Sequence, residues 1–450
     1  MAVPMETGGQ PVKRAIAVCI ALGIAGAAAS AQEHAPVVIT PGGQKTYRIA
    51  VQRFADDPAK PDARMIEDFR AKVIKALEFS GVFTRIEDSA FLGPVTTPPG
   101  REDAQLECPN WSQIGADGLL EGEFARRADG IGISFRVWDP TQCKRLVRRR
   151  YQQSGANLDA TARRLADDVV EAFIGVRGVS GTEIAFVSDR GGNKEIFVMN
   201  ADGSDARAAT ANRSLNNFPS WSPDGDAIIY TSYRYLRRPL LFLSSRGQGK
   251  PGRLLARLGD SHAQYRGVFA PDHERMALVM SDGEASQIYT VGLDGSNLRR
   301  LTNGRAIDVS PTFSPDGKRI AFVSDRTGAP QVYVMDVDGG NVRRLTYDGS
   351  YNTNPAWSPD GLWIAYETRV NGQFDIWMID PEGVTNVPLE TNPRSDEGPS
   401  WAPNSRQIVF SSTRRGNADL YVVDRDGSNL RRITAAAGNN TSPAWGPYTR

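Results

Sequence analysis

The sequence contains few of the residues on which nucleophilic or metal-dependent catalysis depends. Its 450 residues include three histidines, His34, His262 and His273, and three cysteines. A serine hydrolase needs serine, histidine and aspartate in one folded constellation, usually with a Gly-x-Ser-x-Gly pentapeptide at a strand-to-helix turn. No such pentapeptide occurs, which argues against a serine hydrolase.

Metal and nucleotide motifs are also missing. His262 and His273 could form a zinc pair, but no cysteine or third histidine lies nearby, which favours turn or loop roles. Residues 336–339 and 424–427 resemble the start of a calcium-binding loop, yet both lack the glutamate that ends such a loop. No glycine-rich phosphate loop follows a strand and opens a helix. We therefore expect no metal and no cofactor.

Charge of one sign does not dominate the chain. The sequence has 53 Lys and Arg residues against 52 Asp and Glu residues, for a net charge of +1. This balance argues against nucleic acid or an anionic membrane surface as the main partner.

Long hydrophobic runs are absent as well. The apolar run at residues 15–29, AIAVCIALGIAGAAA, is rich in alanine and shorter than the ~20 residues that a membrane span needs. Lys13 and Arg14 precede it, and Ala29-Ser30-Ala31 supplies the small residues that a signal peptidase recognises. The pattern predicts a signal peptide over residues 1–31, cleaved after Ala31, and an exported protein without a membrane span.

Removal of this peptide leaves two cysteines, Cys108 and Cys143. In an exported protein they can form a disulfide, which for a loop of this length would contribute roughly 3–4 kcal/mol. The alternative is two buried free thiols, because the sequence does not show whether the two Cα atoms come close enough.

The chain does contain a repeat of nearly constant length. WSPDG occurs at residues 221–225 and again at 357–361, and an aromatic residue before Ser-Pro or a similar pair recurs in steps of 48, 44, 44, 44 and 44. The six markers are Trp221, Phe269, Phe313, Trp357, Trp401 and Trp445. Each unit holds four short β-rich runs separated by Asp-Gly and similar turns, which is typical of one propeller blade.

The two ends of the array complement each other. The last unit stops after Trp445, while residues 182–210 supply three strands without an aromatic start. Together the two incomplete units form one blade, which predicts a six-bladed propeller over residues 182–450. The C-terminal strand would pair with the first strands of the array and so close the ring, which removes two open sheet edges. The Arg-Arg pairs at 299–300, 343–344 and 431–432 fall in the outermost strands, where a charged edge that prevents aggregation is favoured over an anion-binding stripe.

Residues 32–175 lack the repeat and predict a small α/β domain. Residues 47–54 alternate like a strand, and Ile66, Phe69, Val73 and Leu77 share one face of a helix that Asp62 caps. Further strands are predicted at 118–122, 133–138 and 146–152, a second helix at 159–173, and a short linker at 175–181.

Polar residues precede the innermost strand of each blade, where six loops should converge around the channel mouth. They form a candidate protein-docking surface, although Asn and Asp also serve turns in general. The candidate contact residues are Asn217, Gln264, Tyr265, Arg266, Asp308, Asn354, Glu397 and Asn440.

An exported chain with a small α/β domain, repeats of the type PAWSPDGLWIAYETR and the ending SPAWGPY resembles the TolB family of the Tol-Pal system of Gram-negative bacteria. The resemblance implies a non-enzymatic periplasmic protein, monomeric outside its complexes, which supports outer-membrane integrity and cell division. It implies that the channel face binds the lipoprotein Pal and that the mature N-terminus binds the C-terminal domain of TolA. The alternatives are an exported propeller hydrolase or lyase and a small-ligand-binding propeller.

The TolA contact is assigned to the first residues after the cleavage site. They are Gln32, Glu33, His34, Ala35, Pro36, Val37, Val38 and Ile39. This extended segment lies between a free amine and a Pro-Gly-Gly turn, which suits the addition of a strand to another protein's sheet. The alternative is that this segment forms an edge strand of the α/β domain to which it belongs.

Overall fold

The structure is a computed structural model that describes residues 46–100, 106–153, 158–235, 238–246, 252–255, 258, 262–435 and 437–449. The predicted signal peptide and the segment 32–39 lie outside these described residues. Within them, none of the helices is long and apolar enough to cross a membrane.

The N-terminal part is a five-stranded sheet with helices. In chain order its strands are β1 (Tyr47–Val51), β2 (Phe83–Arg85), β3 (Gly118–Arg127), β4 (Gly130–Asp139) and β5 (Lys144–Gln153). Its helices are α1 (Ala63–Phe79), α2 (Cys108–Ser112) and α3 (Asp159–Ile174), with one 3₁₀ turn at Asp88–Ala90. The sheet order is β2-β1-β3-β4-β5; β1 pairs in parallel with β2 and β3, and the other pairs are antiparallel.

Helix α1 begins where its cap predicts. The Asp62 carboxylate accepts a hydrogen bond from the Met65 backbone N–H at 3.0 Å, which satisfies a donor that the first helical turn leaves unpaired. Phe69, Val73 and Leu77 are buried on the face that the apolar spacing predicts, and they share one core with Leu165 and Val169 of α3. The expected small α/β domain is therefore present.

Cys108 and Cys143 form a disulfide in the structure, with their Cα atoms 5.6 Å apart. It joins the start of α2 to the turn before β5. The bond ties the segment that follows β2 to the strand at the edge of the sheet.

The remainder is a propeller of six four-stranded sheets, as the repeat predicts. Blade 1 contains, from the channel outwards, Asn440–Trp445, Glu183–Ser188, Glu195–Asn200 and Arg207–Ala208. Blade 2 contains Asn216–Trp221, Ala227–Ser232, Leu240–Ser245 and Arg253–Leu254. Blade 3 contains Ala263–Phe269, Arg275–Ser281, Ser286–Gly292 and Arg299–Arg300. Blade 4 contains Asp308–Phe313, Arg319–Ser324, Gln331–Asp336 and Arg343–Arg344. Blade 5 contains Asn352–Trp357, Ile364–Val370, Gln373–Ile379 and Asn386–Glu390. Blade 6 contains Asp396–Trp401, Gln407–Arg415, Asn417–Asp424 and Arg431–Arg432.

Blade 1 closes the ring with both ends of the array. Trp445 pairs with Ile184 and Asn440 with Ser188 in an antiparallel ladder. The Trp445 indole N–H donates to the Thr182 hydroxyl at 2.8 Å, and its ring packs in a core that includes Ile184, Phe186 and residues of blade 6. The predicted closure is confirmed.

The repeating sequence signature has a local physical reason. In blade 5 the Ser358 hydroxyl donates to the Asp360 carboxylate and accepts from the Trp363 backbone N–H at 3.0 Å, which closes the Ser-Pro-Asp-Gly turn. The marker aromatic residues lie between blades: the Trp401 indole N–H, for example, donates to the Ala356 carbonyl of blade 5 at 2.9 Å. Each repeat therefore encodes both its own turn and its contact with a neighbour.

The predicted linker at 175–181 is fixed in place. The Ser180 and Gly181 backbone N–H groups donate to the buried Asp167 carboxylate at 2.7 and 2.8 Å. At the same boundary the Arg431 guanidinium of blade 6 donates to the Phe79 carbonyl at the end of α1, at 2.6 Å. The α/β domain is thus docked on the propeller by specific hydrogen bonds.

Candidate functional site

The eight candidate contact residues lie within the innermost strands and not in the loops before them, where we had expected them. We number the positions of each innermost strand from its first buried polar residue, which is Asn216, Gln264, Asp308, Asn352, Asp396 or Asn440. In this numbering the candidates occupy the first three positions. The strands begin earlier than predicted because these polar residues already pair with the second strand of the blade, as Asn440 does with Ser188. They still lie at the channel mouth.

The first position is buried in every blade. Gln264, Asp308 and Asn440 are 1%, 0% and 0% exposed. The Asp308 carboxylate accepts from Arg326 at 3.1 Å, and the Asn440 amide oxygen accepts from Arg190 at 3.0 Å. These side chains hold the rim of the channel in shape.

The second position is more accessible and carries Asn217, Tyr265 and Glu397 among the candidates. Asn217 and Tyr265 are half-buried and Glu397 is exposed. The Tyr265 hydroxyl donates to the Ser286 hydroxyl at 2.8 Å, which fixes its ring at the mouth. These three side chains can reach a protein that docks over the channel.

The third position has a left-handed backbone in all six blades. The φ angles are 54°, 52°, 53°, 47°, 67° and 49° for Phe218, Arg266, Ser310, Asn354, Gly398 and Ser442. A register shift follows the second position in every one of these strands, so each carries a β-bulge. Non-glycine residues rarely adopt positive φ, and such conformations concentrate at functional sites. The bulge turns a ring of side chains towards the axis of the propeller.

This ring lines a cavity of about 210 Å³ in the channel. Its walls are the third, fourth and fifth residues of all six innermost strands. Most are proline, serine, threonine, alanine and glycine, so the walls are rigid and largely uncharged. Arg266 is the one charged residue in this lining.

Arg266 and Asn354 belong to a hydrogen-bonded chain that crosses from blade 3 to blade 5. The Arg266 Nη1 donates to Asn354 Oδ1 at 2.5 Å, and its guanidinium lies 3.9 Å from the centre of the Phe218 ring. Asn354 Nδ2 donates in turn to Glu367 Oε1 at 2.6 Å, and the Gly398 backbone N–H donates to the same oxygen. Burial lowers the pKa of Arg266 to about 10.

Glu367 is a buried acid that the sequence reading missed. It is 3% exposed, and burial raises its pKa to about 7 against the hydrogen bonds from Asn354 and Gly398. A signal was present, since the equivalent strand position holds only uncharged residues in the other blades: Val187, Thr231, Val279, Val323 and Ser411. Phe218 and Ser310 were likewise not singled out.

Exposed apolar side chains lie on the same face, in segments that lead into innermost strands or leave second strands. They are Leu215, Tyr233, Tyr235, Ile307, Tyr347 and Tyr351. Tyr347 is 71% exposed and Ile307 is 49% exposed. Exposed aromatic and aliphatic groups around a polar mouth are typical of protein-binding surfaces.

His262 directly precedes the innermost strand of blade 3, and His273 lies in the turn at the other end of that strand. His273 takes a left-handed conformation, φ 62°, in a turn where blades 2, 4 and 5 have glycine and blade 6 has Ser405. Among the described residues no group of three or more His, Cys, Asp or Glu side chains is placed to hold a metal ion.

The chain matches two family models. The model described as the TolB beta propeller domain matches residues 170–449, and the model described as the TolB amino-terminal domain matches residues 35–146. Together these matches include all six blades and the α/β domain as far as the start of β5.

Individual relatives agree with the family models. The chain is 34% identical over 302 residues to the Tol-Pal system protein TolB of Anaeromyxobacter sp. (strain K), covering 67% of each chain. It is 34% identical over 256 residues to the Tol-Pal system protein TolB of Desulfosudis oleivorans, covering 56% of this chain and 57% of that one. The crystal structure of TolB from Acinetobacter baumannii has the same fold, with a TM-score of 0.75, 24% identity, and coverage of 90% of this chain and 98% of that one.

Proposed function

Because the chain belongs to the TolB family of Tol-Pal system proteins, we propose that it is a non-enzymatic periplasmic scaffold with two protein-binding sites. The channel face binds Pal, and the mature N-terminus binds the C-terminal domain of TolA. By connecting the two, the protein supports outer-membrane integrity and envelope constriction during cell division.

The observation that carries the Pal site is the geometry of the channel mouth. Six strands from six blades each present a bulged third residue, and rigid elements place recognition groups more accurately than loops do. Exposed Tyr347 and Tyr351 surround a mouth in which Asn217, Tyr265 and Glu397 are accessible. Interfaces are rich in tyrosine at their energetic centres and polar at their rims.

Arg266 and Asn354 extend this surface into the channel. Gln264, Asp308 and Asn440 are buried beneath it and act by holding the strands in position. In this proposal their substitution weakens Pal binding indirectly, through the shape of the rim.

The TolA site is carried by the segment 32–39, which lies outside the described residues. Its sequence, in which Pro36 is followed by Val37-Val38-Ile39, suits β-strand addition to the sheet of a partner. If the segment is docked on its own protein in one state and released in the other, Pal and TolA binding become coupled, and the coupling must act equally in both directions.

A binding experiment with matched variants tests the proposal. Isothermal titration calorimetry would measure the affinity of the mature protein for Pal lacking its lipid anchor and for the TolA C-terminal domain. Tyr347→Ala with Tyr351→Ala removes two exposed rings from the channel face and should weaken Pal by about tenfold or more. Leu362→Ala, also exposed but in the Ser-Pro-Asp-Gly turn on the opposite face, is the control and should leave Pal affinity unchanged.

Deletion of residues 32–43 should abolish TolA binding and retain Pal binding. Loss of Pal affinity in the Leu362 variant alone, or indifference of Pal to the tyrosine pair, contradicts the Pal site. Retention of TolA after the deletion contradicts the N-terminal site. Turnover of a peptide or glycan substrate by the purified protein would favour the alternative of an exported enzyme.

A further inference from the structure

The channel contains a guanidinium with unused hydrogen-bonding capacity. A guanidinium offers five N–H donors. The Arg266 side chain uses one for Asn354 and stacks on Phe218, and it makes no other hydrogen bond or ion pair with the described residues. Its remaining donors lie along the wall of the 210 Å³ cavity.

A second donor in the same cavity is also without a partner. Ser310 is 6% exposed, stands at the bulged position of the next blade, and its hydroxyl has no hydrogen-bond partner among the described residues. A cavity of 210 Å³ has room for several atoms of a ligand, since one water molecule takes about 30 Å³ of liquid. A buried hydroxyl without a partner and a cation with unused donors are costly unless a ligand or water occupies the cavity that both of them line.

The nearby acids do not fill that role. Glu367 is held by Asn354 Nδ2 and the Gly398 N–H, so Asn354 stands between the carboxylate and Arg266. Glu397, the other acid at this part of the mouth, is exposed and forms no ion pair with Arg266. Arg266 therefore lacks a direct carboxylate partner among the described residues.

The stacked ring restricts what the ligand can be. The Phe218 ring centre lies 3.9 Å from the guanidinium carbon, and the bond from Nη1 to Asn354 holds the guanidinium at a second point. The N–H groups that remain belong to a planar fork that matches the two oxygens of a carboxylate. The Ser310 hydroxyl lines the same cavity and is also available to donate to an oxygen acceptor there. Apolar or cationic ligands would leave these donors unpaired.

We propose that the channel cavity is a carboxylate-binding site formed by Arg266 and Ser310, and that its occupant is an aspartate or glutamate side chain of the protein that docks on the channel face. The proposal rests on the proposed Pal site and adds a chemical requirement to it: the docking protein must present an acidic side chain over the channel axis. A free small carboxylate shares this chemistry and is distinguished by the experiment.

The test combines two arms on the full mature chain. In the first, calorimetry measures Pal affinity for wild type, Arg266→Gln, Arg266→Lys and Ser310→Ala. Removing one partner of a desolvated charge pair should weaken Pal about thirtyfold or more in Arg266→Gln, with a smaller loss in Arg266→Lys, which keeps the charge without the fork. Lys318→Gln is the control, because Lys318 is an exposed cation beside the Ser-Pro-Asp-Gly turn of blade 4, on the face opposite the channel mouth, and should change Pal affinity little.

In the second arm, acetate is the probe. The thermal unfolding midpoint of wild type should be higher in sodium acetate than in sodium chloride of equal ionic strength, and this difference should vanish in Arg266→Gln but remain in Lys318→Gln. Circular dichroism establishes that each variant is folded. If Arg266→Gln does not fold, Arg266→Lys replaces it in both arms.

The outcomes separate the two proposals. Both effects together support a carboxylate from the docked protein. An acetate effect with Pal affinity unchanged in Arg266→Gln overturns the protein side chain as occupant and assigns the site to a free carboxylate. Absence of both effects overturns the site. Failure of Pal to bind wild type overturns the proposed function, and the acetate arm then still decides whether the cavity recognises carboxylates.

Discussion

Trp445 is the residue whose loss should open the propeller. It lies in the C-terminal strand that completes blade 1, is 7% exposed, and donates its indole N–H to Thr182 at 2.8 Å. Truncating a buried tryptophan to alanine costs about 3–5 kcal/mol, and losing its hydrogen bond adds about 1 kcal/mol. Trp445→Ala should therefore lower the free energy of unfolding by about 4–6 kcal/mol.

The control is Trp357→Ala. Trp357 occupies the same repeat position in blade 5 and is also 7% exposed, but its blade is built from one continuous stretch of chain. Both variants should lose stability in chemical denaturation. Only Trp445→Ala should also accelerate amide hydrogen exchange in Asn440–Trp445 and Glu183–Ser188 under native conditions, because only that blade is joined by strand pairing of the two ends. If exchange in the Trp445 variant is equally fast in all blades, or is unchanged in blade 1, then Trp445 does not hold the closure of blade 1 together.

Three further predictions concern Glu367, the disulfide and Arg431. The folded pKa of Glu367 lies near 7, above its ordinary value of 4.5, so the stability gained by protonation is full below about pH 4.5 and is lost as pH rises through 7; at about 1.4 kcal/mol per pKa unit this amounts to roughly 3.5 kcal/mol. Glu367→Gln should remove that part of the pH dependence in denaturation curves, and curves that stay parallel to wild type would contradict it. Replacing Cys108 and Cys143 by serine should lower the free energy of unfolding by about 3–4 kcal/mol, as expected for a disulfide spanning 35 residues, and an unchanged denaturation midpoint would argue against the bond. Arg431→Met should expose the domain boundary to limited proteolysis and cost about 1.5–3 kcal/mol, whereas Arg343→Met, its blade 4 equivalent, which bonds to Glu382 instead, should leave that boundary protected.

The propeller was predictable because its information is local and repeated. Each Ser-Pro-Asp-Gly turn closes on its own serine and aspartate, and each marker aromatic residue packs at a blade boundary, so the spacing of Trp357 and Trp401 translates directly into blades. The closure was predictable because the incomplete units at the two ends complement each other.

The interior of the channel was not predictable by the same means. A positive φ at Phe218 or Arg266 contradicts local propensity and is imposed by the bulge and by the packing of six strands around one axis. The burial of Glu367 depends on where the second strand of blade 5 lies relative to that axis. Neither relation is encoded within a single repeat.

Small elements of the α/β domain also depend on long-range pairing. The three-residue strand β2 exists because Phe83 pairs in parallel with Tyr47, far away in the sequence. Such a short segment has no periodicity of its own to read.

Hydrogen exchange of the protein with and without Pal is the direct test of the proposed channel-face site. Pal should protect amides at the start of the innermost strands and in the segments around Ile307 and Tyr347, while the Ser-Pro-Asp-Gly turns on the opposite face exchange as before. Protection of those turns with an unchanged channel face would contradict it.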